Sequence, residues 1–368
     1  MTDRIVAEID VNQLKKNIDI IKEKVGGRPL FVTVKANAYG HGIIEMSRLF
    51  EKFGVDTLCV ASFYEAVEIR DENINANILI LAPVPCDREI IAEGIRKKIS
   101  FSVCSYDLAE IINETAGELN AEALVHIKVD TGMSRVGVQP DKAEEFINYV
   151  RGLENIKLAG VFTHLAASDD CAENEFTMNQ IGIMKRIKEN ICDESIIFHT
   201  ANSAAILKYP EAYMDAVRAG IIVYGYLAYP EMADSLAIRP VLKLKSHIIH
   251  IKTLPKGVSI GYNRTYITDR ETKVATVSAG YGDGYSRALS NRGFVYINGN
   301  KVKIIGRVCM DIFMADVTDI DCKLYDDVYL YDWEHKETDI ENIAKELDTI
   351  SYELLTQISA RVKREYNN

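Results

Sequence analysis

Several large classes of protein are excluded by what this sequence lacks. Basic residues are outnumbered, 43 Lys and Arg against 54 Asp and Glu, for a formal net charge of -11 at pH 7. That balance argues against a nucleic-acid partner, which needs a basic face. No apolar run reaches the roughly 18 residues that a membrane span requires, so no membrane segment is expected. The seven cysteines (Cys59, Cys86, Cys104, Cys171, Cys192, Cys309 and Cys322) are odd in number, scattered, and never in a C-x-x-C pair. Neither a disulfide framework nor a metal site is signalled, and reduced thiols fit the cytoplasm. Asp3, Arg4, Glu8 and Asp10 leave no room for a secretory apolar segment at the start. There is no internal repeat and no low-complexity linker.

What is present is a long alternation of short apolar runs and helical patterns. A chain of 368 residues favours about two domains. Residues 3–10 read as a strand, and Asp10 with Gln13 opens an amphipathic helix to about residue 25. Strand-like runs follow at Leu30–Val34, Thr57–Ala61, Ile78–Leu81, Ile99–Val103, Leu124–Val129, Leu158–Thr163, Ile196–His199 and Ala219–Tyr224. Helical patterns lie between them, near 43–53, 64–72, 87–97, 106–117, 141–152, 174–191 and 202–208. Eight strands alternating with helices predict an α/β fold, a (β/α)8 TIM-like barrel over 11–230. A doubly wound sheet has the same periodicity. The barrel is preferred because Lys35, Arg135, His164, Asn202 and Arg218 all fall at or near strand ends, which in a barrel share one face. Beyond Tyr229-Pro230 the pattern changes to strands and turns: 241–252, 273–277, 293–297, 301–305, 312–317 and 327–331, then helices near 339–347 and 351–361. A mostly-β second domain over 231–368 is expected, joined by the strand of residues 1–10.

The stretch Phe31-Val32-Thr33-Val34-Lys35-Ala36-Asn37-Ala38-Tyr39-Gly40-His41-Gly42 organises the rest. A β-branched run ends in a lysine, and a Gly-His-Gly turn precedes the next helix. Burying an ammonium is costly, and desolvation turns a lysine into a nucleophilic amine. A lysine that snorkels to water satisfies the same pattern. Lys128-Val129-Asp130-Thr131-Gly132-Met133-Ser134-Arg135 is a second landmark, a charged turn capping a strand. His164 follows another strand. His199-Thr200-Ala201-Asn202-Ser203 opens a helix with a polar turn suited to a phosphate or to an ordinary N-cap. Arg218 is the one charge in an apolar stretch and needs a partner.

These motifs, in this order, resemble the alanine racemase family of enzymes that use pyridoxal 5′-phosphate, as do Gly261-Tyr262-Asn263-Arg264, Gly280-Tyr281-Gly282-Asp283, Gly306-Arg307-Val308-Cys309-Met310-Asp311, Ile350-Ser351-Tyr352-Glu353 and Arg361-Val362-Lys363-Arg364. The sequence departs from the family pattern at Asn263, where many members have Gly, and at Lys363, where Pro is usual. The resemblance implies that Lys35 carries the cofactor and that Lys35 and Tyr262 are the two catalytic bases. It places Arg135 over the cofactor and near the substrate carboxylate, His164 against the pyridine ring, and Arg218 at the ring nitrogen. Tyr39, Ser203, Asn202, Gly220, Ile221 and Tyr352 are implied around the phosphate, and Leu81 among the remaining cofactor contacts. Arg135, Met310, Tyr281 and Tyr352 are implied around the substrate. Lys128 matches a position that is often carbamylated in the family, where the added anion holds Arg135.

The implied activity is interconversion of L- and D-alanine by a two-base mechanism, in a cytoplasmic enzyme that supplies D-amino acid for peptidoglycan. A head-to-tail homodimer is implied, with Tyr262 of one subunit completing the site of the other. Three alternatives stand beside it: a fold-related basic amino-acid decarboxylase, disfavoured because the Arg218 segment resembles the racemase one, and two more. One is a serine or serine/alanine racemase of the vancomycin-resistance type, in which this module is the cytoplasmic part of a membrane-anchored parent. The other is a non-catalytic barrel protein that binds the cofactor.

Overall fold

The computed structural model describes residues 3–226 and 236–368; the expected domain boundary at 230/231 lies outside the described residues. The chain forms two compact units. One comprises Lys15–Ala38 and the described part of Ile43–Arg239; the other comprises the described part of Met1–Leu14 together with Tyr39–Gly42 and Pro240–Asn368.

The first unit is a parallel barrel. Numbering strands in chain order from β1 (Ile5–Asp10), its staves are β2 (Leu30–Thr33), β3 (Thr57–Val60), β4 (Asn77–Ile80), β5 (Ile99–Val103), β6 (Ala123–Lys128), β7 (Ile156–Phe162), β8 (Ile197–His199) and β9 (Val217–Ala219). They hydrogen-bond in the order β8-β7-β6-β5-β4-β3-β2-β9, and a parallel bridge between His199 and Ala216 joins the ends. β2, β3 and β5 are buried at every residue, which is why none of them carries a charged side chain. The helix Ile43–Lys52 buries Ile43, Met46, Ser47 and Phe50, the i, i+3, i+4, i+7 stripe of a helix packed on a sheet. Side chains close the helix starts: Ser62 and Glu65 form a capping box before Phe63–Asp71, and Asp87 and Ser105 cap the next two helices.

Two expected elements are corrected. The eighth stave is Val217–Ala219, not Ala219–Tyr224; Ile221–Tyr224 forms a 3-10 turn ended by left-handed Gly225. The helix expected over 351–361 stops at Thr356. A strand follows it, β18 (Lys363–Asn367), which the sequence reading did not include.

In the second unit, the 13-residue β10 (Leu242–Leu254) is the spine. A register shift between Ile248 and His250 lets one end pair with β1 and β17 (Asp327–Tyr331) and the other with β13 (Thr272–Val277). From β13 the sheet returns to β10 through β16 (Phe313–Asp316), β15 (Asn300–Ile305), β14 (Phe294–Ile297) and β17. A small hairpin of β11 (Ser259–Ile260) and β12 (Tyr266–Ile267) carries Tyr262 in its loop. The first and last strands of the chain lie side by side, β1 parallel to β18.

Candidate active site

Because the barrel strands are parallel, whatever follows their carboxyl ends gathers on one rim. Lys35 follows β2, Lys128 ends β6, Arg135 lies in the turn after β6, His164 follows β7 and Arg218 sits in β9. The four cations act on one another. The Lys35 ammonium is held below its usual range by burial and then by Arg135, with Glu65 opposing. Burial, then Arg218 and Arg135, bring Lys128 down to about 8. Burial and the same cations push His164 down to about 3, so it is neutral. Among the described residues, no carboxylate contributes to the environments of Lys128, His164 or Arg218. A site with this excess of positive charge is built for an anion.

Arg218 is buried and brought down to about 10 by its burial. One terminal nitrogen donates to His199 Nδ1 at 3.0 Å and His199 O at 2.6 Å; the other donates to Thr163 O at 2.5 Å and Thr200 O at 3.2 Å. Four of the guanidinium's donors are thereby used, and Nε–H, the fifth, has no partner among the described residues. Since arginine only donates, His199 must accept at Nδ1 and carry its proton on Nε2. That proton faces His126 Nδ1 at 3.0 Å. Arg218, His199 and His126 thus form a directed chain with both imidazoles neutral. Burial holds His199 well below its usual value and His126 at about 3.

Lys128 Nζ donates to Leu81 O at 3.1 Å and lies over the Phe162 ring, tying the end of β6 to the residue after β4 and to the end of β7. The turn that carries Arg135 is pinned by Asp130 Oδ1, which accepts from Gly132 N and Ser134 N. Asn202 Oδ1 caps the helix Ser203–Lys208 by accepting from Ala205 N and also accepts from Ser168 Oγ. Its side-chain oxygen is therefore committed. Ser203 Oγ accepts from Gly220 N at 2.8 Å and Ile222 N at 3.4 Å, which leaves its own proton to donate.

Between Lys35 and the next helix the backbone turns left-handed. Ala36, Asn37, Ala38 and Tyr39 all have positive φ, from 50° to 56°. A left-handed conformation costs a non-glycine residue roughly 1–2 kcal/mol, so four in a row need strong anchoring. Ala36 N donates to Glu65 Oε1 at 2.7 Å, and Asn37 Oδ1 accepts from Ile43 N at 2.8 Å.

The second unit holds the remaining expected residues. Tyr39 is buried and packs edge-on against Tyr352 at 5.8 Å. Tyr262, Tyr281 and Met310 are exposed, by 69%, 42% and 53%; such large apolar side chains in water are consistent with an interface. Tyr262 stands on a hairpin loop in which Gly261, Asn263 and Arg264 all have positive φ, so asparagine accommodates the conformation where glycine is usual in the family. Tyr281 and Met310 are set by Asp283, a fully buried carboxylate. It accepts from Gly280 N and pairs with Arg4 and Arg361. Arg4 reaches on to Asp311 O, and Arg361 to Asp311 Oδ1. Tyr281 N and Gly282 N donate to Cys309 O and Met310 O, zipping the two segments together.

Sequence reasoning missed His126, His199 and Asp283 as site residues. His126 was within reach, since it alternates with Lys128 on one face of β6 and both side chains turn inward. Asp283 gave no such signal, because a Gly-Asp-Gly turn reads as surface.

The fold and this centre define a (β/α)8-barrel enzyme with a cationic site at the carboxyl ends of its strands. Residues 9–228 match the family model "Alanine racemase, N-terminal domain", and residues 241–366 match "Alanine racemase, C-terminal domain". The chain belongs to the alanine racemase family. Alanine racemase of Halothermothrix orenii is 38% identical over 98% of this chain and 96% of its own length. That of Methanococcus maripaludis is 38% identical over 98% of each. The structure of alanine racemase from Clostridium difficile 630 superposes with a TM-score of 0.94 at 39% identity, covering 100% of this chain and 96% of that one.

Proposed function

We propose that this chain is a pyridoxal 5′-phosphate-dependent alanine racemase, cytoplasmic and homodimeric, that supplies D-alanine for peptidoglycan. The observation that carries the reading is Lys35: a strand-end amine made less basic by burial and by Arg135, in a cationic site suited to anions. The residues fit the cofactor. Lys35 Nζ would hold it covalently, and the one uncommitted donor of Arg218 suits the ring nitrogen. Ser203, Tyr39 and Tyr352, with the backbone at Ile221, would take the phosphate; Gly220 N is already given to Ser203 Oγ. Bound there, the cofactor supplies an electron-withdrawing ring that acidifies the substrate Cα–H.

The protein's own part follows from the protonation states. Lys35 Nζ, released when the substrate's amine takes its place, would take or return the Cα proton on one face of the substrate. Tyr262 Oη of a second copy does the same on the opposite face, which is what inversion at a single carbon requires. Arg218 stays protonated and only donates, so it would hydrogen-bond the ring nitrogen without protonating it. Arg135 would bind the substrate carboxylate. Lys128, at about 8, is partly a neutral amine near neutral pH. Such an amine takes up carbon dioxide through its nitrogen and releases a proton; the resulting carbamate would offset the surrounding cations and hold Arg135.

Nothing favours the serine racemase alternative. The test is the circular dichroism of L-alanine and of L-serine over time, with and without pyridoxal phosphate. Alanine signal should decay only when the cofactor is supplied, and serine signal much more slowly. No decay of alanine with cofactor present overturns the reading.

A further inference from the structure

We propose that Arg364 and Tyr366, in the last strand of the chain, are positioning residues for Lys35, an inference that rests on Lys35 being the cofactor lysine. The left-handed turn Ala36–Tyr39 begins one residue after Lys35. Its barrel-side anchors are Glu65 and Asn37. Its far end, Tyr39–Gly42, belongs to the same compact unit as β18 and is gripped there by two side chains. Arg364 donates Nε and one terminal nitrogen to Gly40 O, at 3.1 and 2.9 Å. Its other donors go to Ser359 O, Val362 O and Ile358 O, at 2.7, 2.6 and 2.8 Å. Tyr366 Oη donates to His41 O at 2.8 Å.

The approach leaves no room for a side chain at Gly40 or Gly42. A Cβ at Gly40 would lie 2.1 Å from Leu355 O, and one at Gly42 would lie 2.2 Å from Tyr366 Oη. Arg364 forms no ion pair among the described residues. Its five hydrogen bonds all go to backbone carbonyls, two of them to the one residue that ends the turn. An arginine used in this way fixes backbone position, because its planar fork is satisfied in one arrangement only. Strained backbone persists where its surroundings over-determine it, and this clamp supplies the constraint that Glu65 and Asn37 do not reach. With the turn wound, the Cα–Cβ direction of Lys35 is set. With it relaxed, the amine loses its aim while the barrel strands stay intact.

The test uses full-length protein purified with pyridoxal phosphate, as wild type, R364Q, R364K and Y366F; Y366F removes only a hydroxyl and so guards against misfolding. Amide hydrogen exchange in a peptide spanning 35–43 should rise about tenfold or more in R364Q and by less in Y366F, with β3, β6 and β7 unchanged. R364K should recover part of the effect, as an ammonium cannot span the same carbonyls. Cofactor release on dilution should accelerate with exchange, and kcat should fall more than KM rises. Unchanged exchange at 35–43 overturns the proposal, and so does a rise spread evenly over the whole chain. If wild-type Lys35 takes up no cofactor, the functional reading fails, while the exchange data still decide whether the clamp exists.

Discussion

His126→Asn isolates the neutral histidine chain behind Arg218. Folded His126 does not protonate until about pH 3, whereas an exposed histidine does so near 6.5. Below 6.5 the unfolded chain therefore binds a proton that the folded chain refuses, so stability falls as pH drops from 6.5 towards 3. Between pH 7.5 and 5.0 this one group costs about 2 kcal/mol, from 1.5 pH units at 1.36 kcal/mol each. Asparagine offers a carbonyl oxygen to His199 Nε2–H and does not titrate. Whatever cavity it leaves costs the same at both pH values and cancels. Urea unfolding of the cofactor-free protein, followed by far-UV circular dichroism at pH 7.5 and 5.0, gives the comparison. Wild type should lose about 2 kcal/mol more than the variant on acidification. Equal losses, or a larger loss in the variant, would refute both the neutral state of His126 and the direction of the hydrogen bonds drawn from it.

Tyr262→Phe should suppress solvent-deuterium uptake from L-alanine more than from D-alanine, and Lys35→Ala, rescued with an added amine, should do the reverse; equal suppression in both directions contradicts two bases on opposite faces. Tyr352→Asn should raise the ratio of kcat/KM for L-serine over L-alanine, because an apolar pocket rejects an added hydroxyl by only about 10²-fold and a polar neighbour would welcome it; an unmoved ratio means that Tyr352 has no part in substrate choice. Gly280→Ala would put a methyl 2.3 Å from Cys309 O and 2.4 Å from Met310 O, so it should cost about 1–3 kcal/mol of stability and displace Tyr281 from Met310. Calorimetry showing no loss would mean that the zipped segments yield easily.

The barrel was legible because its staves are buried on both faces and its helices present one apolar stripe, so strand and helix periods separate cleanly. It failed at the eighth stave, where Arg218 interrupts the apolar run. The reading slid to Ala219–Tyr224, which is apolar but folds as a 3-10 turn. Strand β18 escaped because Lys-Arg-Glu-Tyr-Asn is charged and partly exposed, with no alternation to show that β1 pairs with it. The left-handed turn is silent in sequence for a physical reason. Positive φ is signalled by glycine, and Ala36–Tyr39 contains none; the conformation is imposed by groups hundreds of residues away, among them Arg364 and Tyr366. Lys35, Arg135 and Arg218 could be picked out because each is a charge where apolar residues are expected. Asp283 could not, since its burial is set by Arg4 and Arg361 from the two ends of the chain.

Borohydride reduction of the protein loaded with pyridoxal phosphate, followed by peptide mapping, tests the central claim most directly. The reduced cofactor should be found on the peptide containing Lys35 and, within it, on Lys35. Finding it on Lys128 or another lysine, or finding none, would contradict the account.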